Sequence, residues 1–175
     1  RTLARLGVPS IVVKTSEQLR QVDGLVIPGG ESTTILKLLK EEGLWDEVTR
    51  FAAKKPVFGT CAGAILVANE VSHPEQDSLR LIDCGIIRNG YGRQVDSRVA
   101  RVEPEIGAAE RLGGDAVEGV FLRAPIIRRT GPDVKVLARY QGDPVLIEQG
   151  RHMAATFHPE LTMDPRVHKL FLEKL

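Results

Sequence analysis

Between Gly24 and Val71, apolar runs too short for helices alternate with stretches of helical period. This alternation restricts the fold more than any other feature. GLVIP (24–28) and PVFG (56–59) are nearly continuous apolar runs of strand length. TTILKLLKEEGLW (33–45) between them places Ile35, Leu38, Leu39 and Trp45 on one helical face. DEVTRFAAKK (46–55) reads as a further helix ending before Pro56, and AGAILVANEV (62–71) as a compact apolar helix. IVV (11–13) reads as an earlier strand. Strands without polar alternation suit a sheet covered on both faces. The expected architecture is α/β, three-layered, with a mostly parallel twisted sheet and helices on both faces.

The second half is richer in strand signals. LIDCGIIR (81–88), RVARVEP (98–104), VEGVFLRAP (117–125), VKVLARY (134–140), PVLIEQG (144–150) and RHMAATF (151–157) all read as strands. The last two flank Gly150-Arg151 and predict a hairpin. DPRVHKLFLEKL (164–175) predicts a closing helix with Asp164 and Pro165 at its start. No linker or repeat interrupts the chain, so residues 1–175 are expected to form one domain. RTLARLGVPS reads as the end of a helix, a glycine stop and a loop. A sheet of this kind normally opens with a strand, so the first strand is expected to be absent from this sequence.

Charge narrows the partners. Twenty-four Lys and Arg face 23 Asp and Glu, a net charge of +1, with no block of like charges to attract nucleic acid. No apolar run approaches the roughly 20 residues that span a bilayer, and no signal peptide is expected. Cys61 and Cys84 are the only cysteines, too few for a disulfide framework, and no CxxC suggests zinc. A reducing, cytoplasmic setting is expected, with no metal.

Cys61 occupies Gly59-Thr60-Cys61-Ala62-Gly63, a G-x-C-x-G sequence between a strand signal and a helix signal. This is the thiol version of a nucleophile elbow, whose tight turn needs small neighbours. A cysteine at a helix N-terminus is also biased towards thiolate. The bland alternative is a buried cysteine serving as a small hydrophobe.

A thiolate nucleophile needs a base, and His-Pro-Glu occurs twice, at 73–75 and at 158–160. Proline keeps the preceding histidine out of helical geometry, and an extended tripeptide sets residues i and i+2 on one side. Glutamate can then hold Nδ1 while Nε2 faces a nucleophile. His73 lies twelve residues after Cys61, beyond the helix that Cys61 opens. That places it about 15–18 Å away at about 1.5 Å per residue. His158 follows the apolar strand MAATF (153–157) directly. If that strand runs parallel to the one ending at Gly59, both ends open on the edge where α/β sheets place their sites. His158 and Glu160 are therefore the expected partners. His73-Glu75 reads as a surface turn, and His152 and His168 as structural or solvated residues. GLVIPGGESTT (24–34) is a strand running into Gly29-Gly30 and a helix capped near Ser32. Two glycines let backbone N–H groups approach an oxyanion, and the N–H of Ala62 can join them. A plain strand–helix turn explains the same residues.

Together, G-T-C-A-G, P-G-G and F-H-P-E resemble the class I, triad-type glutamine amidotransferases. PGGESTT (28–34), FGTCAG (58–63), RNGYGRQVDS (88–97), FLRAP (121–125) and FHPEL (157–161) look like the glutaminase subunits of pyridoxal 5′-phosphate synthase. The resemblance implies a flavodoxin-like fold and hydrolysis of L-glutamine to glutamate and ammonia. Cys61 would be the nucleophile, His158 the general base and acid, and Glu160 its orienting partner. Gly29, Gly30 and Ala62 would form the oxyanion site, and Gly30, Glu31, Ser32, Arg88, Leu122 and Arg123 would contact glutamine. Chemically, arginine suits the α-carboxylate, and Glu31 could meet the α-ammonium. The family uses no cofactor and passes ammonia to a barrel-shaped synthase subunit in a hetero-oligomer, for vitamin B6 biosynthesis. Three rival readings are a glutaminase for another synthase, a cysteine hydrolase on the same elbow, and a non-enzymatic module with an oxidisable cysteine.

Overall fold

The computed structural model describes residues 1–89 and 98–175. The chain runs α1 (Thr2–Arg5), α2 (Ser16–Arg20), β1 (Leu25–Ile27), α3 (Ser32–Glu41), α4 (Leu44–Ala52), β2 (Val57–Thr60) and α5 (Ala62–Val67). Then follow β3 (Ala68–Ser72), β4 (Ile82–Ile87), β5 (Arg98–Pro104), β6 (Val117–Phe121) and β7 (Ile126–Thr130). The chain closes with β8 (Lys135–Tyr140), β9 (Asp143–Gln149), β10 (His152–Ala155) and α6 (Arg166–Leu172).

Among the described residues seven strands form one sheet in the order β1-β2-β10-β9-β8-β5-β6, and β3-β4-β7 form a second. The α/β class stands, but the large sheet is mixed. β1, β2 and β10 run parallel to one another, whereas every pairing from β10 through β9, β8 and β5 to β6 is antiparallel. The reason is local. A short turn at Gly150 (φ +55) can only return the chain antiparallel, so the strand-rich second half builds hairpins. β1 and β2 come from the half with crossover helices, and β10, from near the end of the chain, joins them in parallel.

Alternate residues of the central strands enter opposite cores. Val57, Ala154 and Ile147 pack with Leu19, Val48, Ile65 and Leu66 of α2, α4 and α5. Phe58, Met153, Ala155 and Leu146 pack with Val167, Leu170 and Phe171 of α6. Helices therefore cover both faces, as the three-layer expectation requires. Each fully buried side chain of the size of Phe58 or Leu66 stabilises this arrangement by about 1.5–3 kcal/mol.

Tertiary pairing overrides the sequence signals in several places. Residues 11–13 form no strand, and Ile11 and Val12 are exposed. Among the described residues β1 is the outer edge strand of the ladder. The helix expected over 33–45 breaks at Gly43 (φ +65), and α4 begins at Leu44. The helix expected over 62–71 stops at Val67, because Ala68–Ser72 pairs with β4. The strand expected over 117–125 ends at Phe121, and β7 follows the turn around Arg123 (φ +46). No helix of the described residues is long and apolar enough to cross a membrane.

Candidate active site

The elbow is built by glycine contacts. Cys61 sits at φ +49, ψ −106 between β2 and α5, a conformation strained for a residue with a side chain. A Cβ on Gly59 would overlap the backbone of Gly63, and one on Gly63 would overlap the carbonyl of Ile27 at the end of β1. Both glycines of G-x-C-x-G are thus required by close backbone approach. The Cys61 N–H donates to the Ala155 carbonyl at 2.8 Å, tying the elbow to β10. Its thiol donates to the Leu122 carbonyl at 3.8 Å.

β10 runs parallel to β2, with Ala154 opposite Gly59 and Ala155 opposite Thr60. That pairing carries His158 to the edge where Cys61 emerges. The His158 N–H donates to the Val120 carbonyl at 2.8 Å, fixing the backbone just beyond the strand. His158 Nδ1 is 2.7 Å from Glu160 Oε1. The tripeptide is not extended as expected. Pro159–Leu161 forms a 3-10 turn, which still returns the carboxylate to the ring. Burial alone would lower the His158 pKa, but its hydrogen bonds with Cys61 and Glu160 and their charges outweigh this and push it up to about 9. His158 is therefore a cation at neutral pH, held between a thiol and a carboxylate.

The Pro28-Gly29-Gly30 turn closes on the same residues. A Cβ on Gly29 would overlap the His158 imidazole, so only glycine lets this backbone lie against the ring. Gly30 takes φ +141, open to glycine and rarely to other residues. Ala62 opens α5, so its N–H has no acceptor within the helix. Glu31 rather than Ser32 caps α3, its carboxylate accepting from the Thr33 N–H at 3.5 Å and the Thr33 hydroxyl at 3.0 Å. The same carboxylate oxygen pairs with Arg88 at 3.1 Å. Ser32 is buried and donates to Gln76 Oε1 at 2.8 Å. Arg123 is exposed beside Leu122.

Every expected residue is thus described, and Cys61, His158, Glu160, Gly29 and Leu122 are brought into one contact set. Of RNGYGRQVDS, residues 90–97 lie outside the described residues. A cavity of about 710 Å³ opens elsewhere, on β3, β4 and β7, and none of the expected site residues lines it. Among the described residues no group of three or more His, Cys, Asp or Glu side chains is placed to hold a metal.

The SNO glutamine amidotransferase family model matches residues 1–175. The chain belongs to that family. It is 58% identical over 173 residues to the pyridoxal 5′-phosphate synthase subunit PdxT of Solibacter usitatus, covering 99% of this chain and 90% of that one. The subunit of the same name from Koribacter versatilis is 49% identical over 173 residues, covering 99% and 86%. A crystal structure of a glutamine amidotransferase superposes with a TM-score of 0.88 at 45% identity, covering 99% of this chain and 89% of the other.

Two features of this glutamine amidotransferase site left no trace in the sequence. The acceptor for the Cys61 thiol and the anchor for His158 are the main-chain carbonyls of Leu122 and Val120, and any residue type can supply those. The Arg88–Glu31 pair joins residues 57 positions apart, and the motifs that carry the two residues give no sign that they meet. The other cysteine behaves as the bland reading holds. Cys84 is buried in β4, and burial pushes its thiol up to about 12.

Proposed function

We propose that this chain hydrolyses L-glutamine to L-glutamate and ammonia with Cys61, His158 and Glu160, and supplies the ammonia to a synthase subunit that makes pyridoxal 5′-phosphate. One observation carries the chemistry: His158, pinned by Glu160 at 2.7 Å, lies close enough to a cysteine on a strained elbow for that cysteine to help raise its pKa. In this reading the Cys61 sulfur, its proton held by His158, attacks the side-chain amide carbon of glutamine. The carbonyl oxygen becomes an oxyanion, met by the N–H groups of Gly30 and Ala62 beside Gly29. His158 gives its proton to the leaving nitrogen, the C–N bond breaks, and ammonia departs from a γ-glutamyl thioester. His158 next takes a proton from water, whose oxygen attacks the thioester carbon and releases glutamate and the thiolate.

Arg88 suits the α-carboxylate of glutamine and Glu31 its α-ammonium. Their mutual ion pair keeps both charges compensated until the substrate's own pair replaces it. Ser32, Leu122 and Arg123 complete the glutamine contacts in this reading. The relatives named as synthase subunits support the partner, taken here as a barrel subunit in a hetero-oligomer in the cytoplasm. The chain itself acts as one glutaminase domain with no cofactor. The test is glutamate and ammonia release from glutamine, with and without the purified synthase subunit. Release stimulated by the partner and lost in Cys61→Ala is expected. Release retained by that variant would overturn the assignment of the nucleophile.

A further inference from the structure

Glu160 uses one oxygen on His158, and its other oxygen, Oε2, is buried without a hydrogen-bond partner. A buried carboxylate oxygen left unserved is costly, so such groups are normally satisfied by protein or by ordered water. Nδ1 of His168, on α6, is also buried without a partner, and the residue is 4% exposed. Its ring meets Phe58 of β2 edge-on at 6.1 Å, so it sits behind the strand that delivers Cys61. Glu160 is near enough for its charge to favour the imidazolium form of His168.

We propose that His168 is a positioning residue for the triad, its Nδ1–H serving Oε2 of Glu160 through one bridging water. A buried water of this kind joins polar atoms that would otherwise stay unpaired. The link gives the carboxylate two fixed oxygens instead of one. It can no longer swing about its bond to His158, and the imidazole keeps its aim at Cys61. The groups facing His168 fit a neutral donor. Burial lowers its pKa most, Glu160 opposes this, and Arg5 of α1 lowers it further. The neutral ring can carry its proton on Nδ1.

The role rests on the glutaminase reading for its rate effect, though not for its effect on His158. Three variants of the full chain separate the possibilities. His168→Asn keeps an amide near the Nδ1 position, His168→Gln places it nearer Nε2, and His168→Leu removes it. NMR titration of the His158 ring is expected to give a high pKa in the wild type and in His168→Asn. The value falls in His168→Gln and His168→Leu. With the synthase subunit present, kcat for glutamine should fall about 10- to 100-fold in those two variants, with KM unchanged. An unchanged His158 titration in both the Gln and the Leu variant would overturn the proposal. Equal behaviour of Asn and Gln would do the same, and this comparison stands even if the Leu variant does not fold. If the titrations differ as expected but the wild type releases no glutamate, the glutaminase reading fails and the positioning role survives.

Discussion

His73-Pro74-Glu75 and His158-Pro159-Glu160 are the same three residues, and the fold makes them different objects. His73 follows β3, in the small sheet, and all three residues of that copy are exposed. Its carbonyl accepts from the Asn89 side chain at 3.1 Å. His158 lies three residues beyond β10, which pairs with the strand carrying Cys61. It is 8% exposed and bridged to Val120. The tripeptide supplies a histidine and a carboxylate, and strand neighbourhood decides whether they meet a nucleophile. The largest effect should come from breaking this asymmetry. His158→Asn is expected to reduce partner-stimulated glutamine hydrolysis by about 10³-fold or more. His73→Asn should leave the rate within about twofold, as surface changes away from the site usually do. Equal losses in the two variants would mean that position does not separate the copies.

The glutamates sharpen the contrast. Glu160→Gln should lower kcat about 10²- to 10⁴-fold, since an orienting carboxylate contributes less than the base it holds. It should also move the alkaline limb of the pH–rate profile to lower pH, because Glu160 helps to raise the His158 pKa. Glu75→Gln should do neither. A smaller change tests the turn that has no counterpart at His73. Gly29→Ala drives a methyl group into the His158 ring and is expected to cost about 10²-fold in rate, the scale of a displacement near 1 Å. A fully active Gly29→Ala variant would show that the ring can move without penalty.

How much of this could be read in advance follows from what each element depends on. Cys61, Gly59 and Gly63 were legible because a tight strand-to-helix turn leaves so few residue types, and His158 because it directly follows the apolar strand MAATF, whose parallel pairing with β2 opens both ends on one edge. The covering of both sheet faces was legible in the apolar runs GLVIP and PVFG. The antiparallel return from β9 to β10 was legible at Gly150-Arg151, but the sense of β8, β5 and β6 was not, because an apolar run looks alike in parallel and antiparallel ladders. Ala68–Ser72 continues the helical pattern of α5 and becomes strand only because β4 lies beside it. The hold of Leu122 and Val120 on Cys61 and His158 passes through main-chain carbonyls, which sequence does not distinguish.

The smallest expected effect is on stability, and its sign differs between buried His158 and half-buried His152. The folded chain raises His158 from its ordinary 6.5 to about 9, so it holds this proton more tightly than the unfolded chain does. The resulting stabilisation is fully present below pH 6.5 and fades as the pH rises towards 9. His152 is the opposite case. Burial, aided by the positive charges of Arg151 and Lys174, pushes it down to about 4, and its Nδ1 accepts the Val57 N–H at 3.2 Å. Its contribution is present above pH 6.5 and fades as the pH falls towards 4. Urea midpoints measured from pH 4 to 9.5 should therefore decline on both flanks. His158→Asn flattens the alkaline flank alone, and His152→Gln flattens the acid flank alone. His73→Asn leaves both in place. An alkaline flank unchanged by His158→Asn would mean that the imidazole is not bound between Cys61 and Glu160, and the distinction between the two copies would lose its electrostatic basis.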